Sequence, residues 1–418
     1  MSINPIKITN SPAARKHVAF LSYDGLSDPL GQSQILPYLL GLADQGYDIE
    51  IFSCEKPERL AAEKNMLAQQ LSHAGIRWHY LLYDEKGGWL SRWQYTRRLF
   101  NMVRRQHLLQ HFELIHCRSY LAALNGKRMF RRYGIPFLFD MRGFWADERM
   151  DGGIWHKKNK LQLLLYRYFK FQEKRLLKKA SGVICLTNAG LQELIRLYPD
   201  LSLQKKTSII PCCTNTALFD PEKVTGQVLC DLPEDTHLFV YTGSIGTWYQ
   251  TREMIECLLI WRRKIPQLRL LILTRDQEAL QRVLSSFPVD LSFIHSASAR
   301  HAEVPAYLAQ ARAAIFFIKP AYSKIASSPT KMAECWAMDL PIISNCGIGD
   351  GDELFKTFRG GILVQGFSEA AYETACDAYL ATPFKKGALR RIALENFDHR
   401  SAVKRYQQAY QNILSTSV

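Results

Sequence analysis

Lysine, glutamate and small hydroxyl residues gather in one short stretch of the 418-residue chain. It runs from Ser327 to Asn345 and reads Ser-Ser-Pro-Thr-Lys-Met-Ala-Glu-Cys-Trp-Ala-Met-Asp-Leu-Pro-Ile-Ile-Ser-Asn. Pro329 suits the start of a helix that Thr330 or Ser328 could cap. Lys331 then falls in the first turn and Glu334 one turn later, so both side chains lie near the helix start. Free N–H groups with a nearby ammonium make a site for a phosphate-bearing ligand. A carboxylate one turn further in can hold the two hydroxyls of a ribose. The helix should end near Met338-Asp339, and Ile342-Ile343 after Pro341 reads as a buried strand.

The elements that would position this stretch alternate along the chain. His17 to Tyr23 reads as a strand, Asp24 to Gly31 as a turn-rich loop, Gln32 to Asp44 as a helix, and Asp48 to Cys54 as the next strand. That is a βαβ unit, and its first loop would lie at the carboxyl end of a sheet, where ligands bind. Further strands are expected at Ile76–Leu82, Glu113–His116, Pro136–Asp140, Gly182–Leu186 and Thr207–Ile210. Helices are expected near 58–73, 89–110, 119–132, 157–179 and 187–197. After a linker, a second series brings strands at His237–Thr242, Leu268–Leu273, Asp290–Ile294, Ala313–Ile318 and Pro341–Ser344. Its helices fall near 250–264, 276–285, 301–310, 330–338, 368–381 and 400–415. Short apolar strands separated by helices imply an α/β fold with doubly wound parallel sheets, here two in tandem.

Composition agrees with a folded chain: 47% of residues are hydrophobic and 22% charged. No run of 18 or more apolar residues suggests a membrane span, and the polar start, Met1 to Lys16, lacks an apolar signal core. The ten cysteines show no zinc spacing, so a reducing cytoplasm is the expected location. The net charge of +15 is lopsided. Residues 1–206 carry 32 Lys and Arg against 18 Asp and Glu, whereas residues 207–418 carry 22 against 21. The first half should therefore face something anionic. Trp89 to Gln110 holds five arginines and no acid among aromatic residues, and Trp155 to Ala180 holds nine Lys and Arg against Glu173 alone. In the second segment Leu161, Leu164, Leu165 and Tyr168 recur at helical spacing. One reading is a helix covering the sheet with a solvated basic face; the other is docking on anionic lipid. No motif for binding nucleic acid accompanies either segment.

Other chemistry is excluded by what the motifs lack. No G-x-G-x-x-G joins a strand to a helix; Gly243-Ser244-Ile245-Gly246 has only two glycines at the wrong spacing. Neither a P-loop nor a G-x-S-x-G nucleophile elbow is present. In the first half, His116 and Asp140 each end an expected strand and are followed by Arg118 and Arg142. These four would stand at the carboxyl end of the sheet, or else form a hydrogen-bonded histidine and structural ion pairs with Asp140 or Asp147. The run Asp147-Glu148-Arg149 reads as a loop, and two acids without a third ligand do not make a metal site.

Leu21-Ser22-Tyr23-Asp24-Gly25-Leu26, Leu30-Gly31-Gln32-Ser33-Gln34 and Ser327 to Glu334 together resemble the retaining GT-B glycosyltransferases of glycosyltransferase family 4. Ile209-Ile210-Pro211-Cys212-Cys213, Tyr241-Thr242-Gly243-Ser244 and Phe139 to Glu148 fit the same group, so the resemblance runs from about His17 to Tyr406. It implies two Rossmann-like domains facing across a cleft, the acceptor on the first and the nucleotide-sugar on the second. In these terms residues 1–212 form the first domain, 213–235 a linker and 236–397 the second domain, with helix 398–418 packing back on the first. Donor contacts would come from Gly243, Ser244, Arg275, Ser327, Ser328, Thr330, Lys331 and Glu334. The acceptor side would be shaped by Asp24, Gly25, Gly31, Gln32 and Arg118, with His116, Asp140, Arg142 and Lys331 as catalytic candidates.

Two family features are missing. A glutamate usually stands eight positions before Glu334, where this chain has Ala326. The usual arginine–lysine phosphate clamp is replaced by Ser244 and Tyr249. Lys331 is then the best remaining cation for a diphosphate, with Lys319, Lys324 and Arg275 in reserve. The resemblance implies sugar transfer from a nucleoside diphosphate-sugar, with retention, without a metal or other cofactor, to a glycan or lipid-linked acceptor. With the cytoplasm expected from the cysteines, the basic first half points to a peripheral location on the inner face of the cell membrane. Two other readings stay open: a non-hydrolysing nucleotide-sugar epimerase, and a degenerate subunit that only binds a partner.

Overall fold

Runs of branched and aromatic residues build two parallel sheets. The computed structural model describes residues 15–83, 88–225, 233 and 235–416. The polar start of the chain and the middle of the expected linker, residues 226–232 and 234, lie outside them. The first sheet holds β1 (Lys16–Ser22), β2 (Tyr47–Glu55), β3 (Arg77–Leu82), β4 (Leu114–Arg118), β5 (Phe137–Asp140), β6 (Gly182–Cys185) and β7 (Thr207–Ile209), in the order β3-β2-β1-β4-β5-β6-β7. The second holds β8 (His237–Thr242), β9 (Leu268–Leu273), β10 (Ile294–Ala297), β11 (Ala313–Phe316), β12 (Ile342–Asn345) and β13 (Gly361–Val364), in the order β10-β9-β8-β11-β12-β13. Its strands pair in parallel throughout. The doubly wound, parallel-sheet α/β class expected from the sequence is the class observed.

Helices connect the strands. The first series is α1 (Pro29–Gln34), α2 (Leu36–Asp44), α3 (Pro57–His73), α4 (Gly88–Leu109), α5 (Ser119–Tyr133), α6 (Trp145–Asp151), α7 (Lys160–Lys179) and α8 (Asn188–Leu197). The second is α9 (Thr251–Trp261), α10 (Gln277–Leu284), α11 (Val304–Leu308), α12 (Thr330–Ala337), α13 (Gly351–Phe358), α14 (Glu369–Ala381), α15 (Ala388–Asn396) and α16 (His399–Thr416). Contacts divide the chain into residues 1–138 with 410–418, and residues 139–409. The division falls inside β5.

Several expectations need correction. The expected helix Gln32–Asp44 begins earlier, at Pro29, and breaks at Ile35, whose ψ of −62° and φ of −127° leave the helical region. The expected strand Asp290–Ile294 starts only at Ile294, because Asp290 folds back to accept the Ser292 N–H at 2.9 Å. Asp147-Glu148-Arg149 is not a loop but the middle of α6. Residues 301–310 form a 3-10 turn, His301–Glu303, followed by the short α11. Four elements were not foreseen: α6, α13, β13 and α15. The last of these is capped by Asp339, a residue with φ of +58° just past α12. Its carboxylate accepts the N–H groups of Gly387, Leu389 (3.0 Å) and Arg390 (3.2 Å), which ties the end of α12 to the start of α15.

Around the second sheet the core is built on Trp261 and Trp336, both fully buried. Each indole N–H is satisfied, Trp336 by the Gly360 carbonyl and Trp261 by that of Tyr372, both at 2.9 Å. Burying a side chain of this size stabilises by about 3 kcal/mol. Trp336 thereby fixes α12 in rotation and depth, and with it the two residues the sequence singled out.

Candidate functional site

Lys331 and Glu334 sit one turn apart on α12, as their spacing requires, but their environments differ. Lys331 is buried, and its ammonium has no hydrogen-bond partner. Three rings surround it: Tyr249, Tyr241 and Phe316, with centroids 3.6, 4.6 and 5.4 Å from Nζ. The ring faces attract the cation. Burial outweighs them and lowers the lysine pKa to about 7.

Above this ammonium lies Gly243, just past the end of β8. Its φ of +137° is one that side chains rarely tolerate, and a Cβ built on it would stand 2.8 Å from Lys331 Nζ. Gly243 and Ser244 are both exposed. The Ser244 carbonyl accepts the Tyr241 hydroxyl, and Asp276 accepts the Ile245 N–H at 3.0 Å, which holds the turn open. Arg275 is exposed beside Asp276 at the end of β9.

Glu334 is 12% exposed, and its Oε1 lies 2.9 Å from His301 Nε2. The carboxylate raises the His301 pKa through that hydrogen bond. His301 escaped notice in the sequence because a lone histidine at a helix start carries no signal by type or spacing. Its position at the turn after β10, on the same edge of the sheet as Gly243 and Arg275, is what marks it.

The serines preceding α12 do not cap it. No side chain does so, and Ser328 Oγ instead accepts the Cys212 N–H at 3.1 Å. Thr330 is half-buried in the first turn. Ser327 and Ser328 line a cavity of about 360 Å³ with Thr187, Asn188, Met332 and Arg405. Met332 is about 100° round the helix from Lys331, so this cavity opens on a different side of α12.

Two of the three reserve cations are engaged elsewhere. Lys324 donates to Glu148 at 2.7 Å and covers the Trp248 ring at 3.5 Å, and Lys319 reaches the Asp151 carbonyl at 3.3 Å. The same loop is held through the Ser323 N–H to Asp151, Tyr322 to Glu193 and Thr187 to the Ile325 carbonyl. Ala326 is buried there. A Cβ added to Gly190 would stand 3.0 Å from its own, and one on Gly143 would stand 3.4 Å from its carbonyl. A glutamate has no room at this position.

The first-unit candidates are dispersed between two roles. Gly31 packs on the loop before α1, where a Cβ would stand 2.1 Å from the Gly25 carbonyl. Glu55, which the sequence reading missed, fixes that loop by accepting the N–H groups of Leu26 (2.8 Å) and Ser27 (3.0 Å). Gln32 reaches the Ser27 carbonyl at 3.4 Å. Arg118, buried, donates to the Gln34 carbonyl at 3.0 Å and stands 3.9 Å from Asp24. These residues are therefore brought together. His116 is not at a strand end, since β4 continues to Arg118. Its ring is buried in the strand's interior, with Nδ1 2.7 Å from the Tyr410 hydroxyl and the ring edge against Phe20. In the second unit, Asp140 does end β5 and accepts the Tyr406 hydroxyl at 3.0 Å. Arg142 donates to Cys212 Sγ at 3.3 Å and lies 4.0 Å from Asp140.

Comparison with known proteins adds to this geometry. Residues 38–218 match the family model of Glycosyltransferase Family 4. A search of curated protein sequences finds no match. Among solved structures, sucrose-phosphate synthase from Thermosynechococcus elongatus aligns over 96% of this chain and all of its own, with 17% identity and a TM-score of 0.69. A glycosyltransferase from Rickettsia africae aligns over 96% of this chain and 99% of its own, with 15% identity and a TM-score of 0.65. HepE of Anabaena, solved with UDP and glucose, aligns over 94% and 99%, with 12% identity and a TM-score of 0.62. Residues 38–218 thus carry the pattern of Glycosyltransferase Family 4, and the chain shares the two-sheet GT-B fold of these enzymes along nearly its whole length.

Proposed function

We propose that the protein transfers a glycosyl group from a nucleoside diphosphate-sugar to a glycan or lipid-linked acceptor, with retention at the anomeric carbon and without a metal. One observation carries the reading. The space where Gly243 lacks a side chain is 2.8 Å from a buried ammonium that has no partner. A phosphate oxygen placed there meets Lys331 at hydrogen-bonding distance. As the anomeric bond breaks, negative charge grows on the leaving diphosphate. A fixed cation in a site shielded from water stabilises that charge more than it stabilises the ground state.

The other residues take supporting parts. Glu334, oriented by His301, is placed to receive the ribose hydroxyls, and Arg275 adds positive charge at the edge of the same site. Ser244 and the start of α12 offer backbone N–H groups. Asp140 and Arg142, at the end of β5, remain catalytic candidates, and the Gly25–Gly31 loop is a candidate for contact with the acceptor. The burial of His116 against Tyr410 argues for a structural role rather than contact with substrate. Among the described residues none stands out as a nucleophile, so the retaining route is front-face attack within an ion pair. The missing glutamate at Ala326 is consistent with sugar contacts made by backbone groups of the loop.

Calorimetry with UDP and other nucleoside diphosphates, alone and as sugar conjugates, tests the reading. Binding that depends on Lys331 supports it, and no binding by any member of the series refutes it. An epimerase would convert a donor with no acceptor present, so incubation with donor alone separates that alternative.

A further inference from the structure

Part of the apolar stripe of α7 faces solvent, while Leu165 and Tyr168 are half-buried. Leu161, Leu164 and Phe171 are 52%, 63% and 58% exposed, and Ile154 in the preceding turn is 57% exposed. At 100° per residue, positions 160, 164, 167, 171, 175 and 178 share one face of this helix. The opposite face does the packing, through Phe169, Leu176 and Leu177 with Gln172 and Glu173. The helix thus has an inward-packing face, as one of the two readings of the sequence expects, but Leu161 and Leu164 are not on it.

Cations flank the exposed leucines and phenylalanine. Lys157, Lys158, Lys160, Arg167, Lys174, Arg175, Lys178 and Lys179 are all exposed. The one acid of the helix, Glu173, is fully buried and accepts from Lys170 at 2.6 Å and from Tyr198 at 2.7 Å, so it does not offset them outside. Among the described residues, Lys174 alone of these exposed cations has an ion pair, with Asp200 at 3.3 Å. Asn159 caps the helix by accepting the N–H groups of Leu161 and Gln162, so the face is rigidly presented from its first turn.

We propose that this outer face of α7, with Ile154, docks the protein on an anionic lipid bilayer. Charge complementarity selects the partner. A helix lying in the interface buries its leucine and phenylalanine side chains at the acyl boundary while its lysines and arginines meet lipid phosphates. A second copy of the same face would be repelled by its own charge. Nucleic acid would use the cations but gain nothing from three exposed aliphatic side chains. The proposal extends the lipid-linked acceptor reading, and its readout is membrane capture without turnover, so either can fail alone.

Flotation of the full chain with vesicles of phosphatidylcholine, with and without phosphatidylglycerol, tests it. Capture should require phosphatidylglycerol and weaken as salt rises. The variant L161E/L164E/F171E should lose capture. A second variant, K160Q/R167Q/K178Q, should partition about 100-fold more weakly, at about a fivefold loss for each cation removed. Both sets of side chains face solvent, so melting temperature should not change. Equal capture on neutral vesicles, or full capture of the first variant, would overturn the proposal. So would binding of a short RNA through this face with no capture on vesicles.

Discussion

Lys331 Nζ lies beneath Gly243 at 2.8 Å from the point where a Cβ would stand. The glycine therefore keeps open an approach to a buried charge. Gly243→Ala should weaken binding of a nucleoside diphosphate by tenfold or more, about 1.4 kcal/mol. It should also destabilise the fold by about 1–3 kcal/mol, because φ there is +137°. Calorimetry and thermal melting read the two effects separately.

Replacing Lys331 separates stability from chemistry. An ammonium buried without a hydrogen-bond partner costs folding free energy. Lys331→Met, similar in length and apolar, should leave the melting temperature unchanged or raise it. Transfer should fall about 100- to 1,000-fold if the ammonium meets developing charge. Unaltered turnover would remove Lys331 from the mechanism.

Proton linkage gives a third check. The folded-state pKa of Lys331, about 7, is below its ordinary 10.5. Between those values the unfolded chain holds a proton that the native lysine has released, so this group's contribution to stability rises with pH. Donor binding has the opposite sign, because the diphosphate pairs with the ammonium form. Affinity for a nucleoside diphosphate-sugar, whose diphosphate does not titrate there, should hold below pH 7 and fall above it by up to about tenfold per pH unit. Glu334 raises the His301 pKa, so the profile is compared in Lys331→Met and His301→Gln. Only the first should flatten the fall above pH 7.

Glu334→Gln removes the charge that raises the His301 pKa. Proton NMR should show His301 titrating at lower pH, and nucleotide affinity should fall about tenfold as a charged hydrogen bond to ribose becomes a neutral one. An unmoved affinity would dissociate Glu334 from the ribose.

Restoring the family's missing glutamate should not help. Ala326→Glu must displace Gly190, which already stands close to Ala326. A loss of about 1–3 kcal/mol is expected from overpacking, measured by denaturant unfolding. A gain in transfer rate would show that the loop can move aside.

Much of the fold was legible because it rests on periodicity. Apolar runs such as Val18–Leu21 and Leu270–Leu273 can only be interior strands of a parallel sheet. Positions that depend on which way a helix turns were not legible. Leu161 and Leu164 carry a period that suits burial, yet the depth of Leu176 and Leu177 decides the rotation. Lys331 and Glu334 could be paired by spacing alone, but the aromatic enclosure of Lys331 draws on β8, the loop at Tyr249 and β11. His301 and Glu55 were missed for the same reason: each acts through a partner distant in sequence. His116 was misplaced because β4 runs two residues further than its apolar pattern.

The depressed basicity of Lys331 also gives the protein a chemical address. At pH 7 about half of this amine is uncharged, against about one in 3,000 of an ordinary surface lysine. A free amine is a nucleophile and an ammonium is not. Small neutral electrophiles that reach past Gly243 should therefore mark Lys331 ahead of the other lysines, and a bound diphosphate should shield it. The extent of labelling would then report site occupancy on its own, before any sugar or acceptor has been identified.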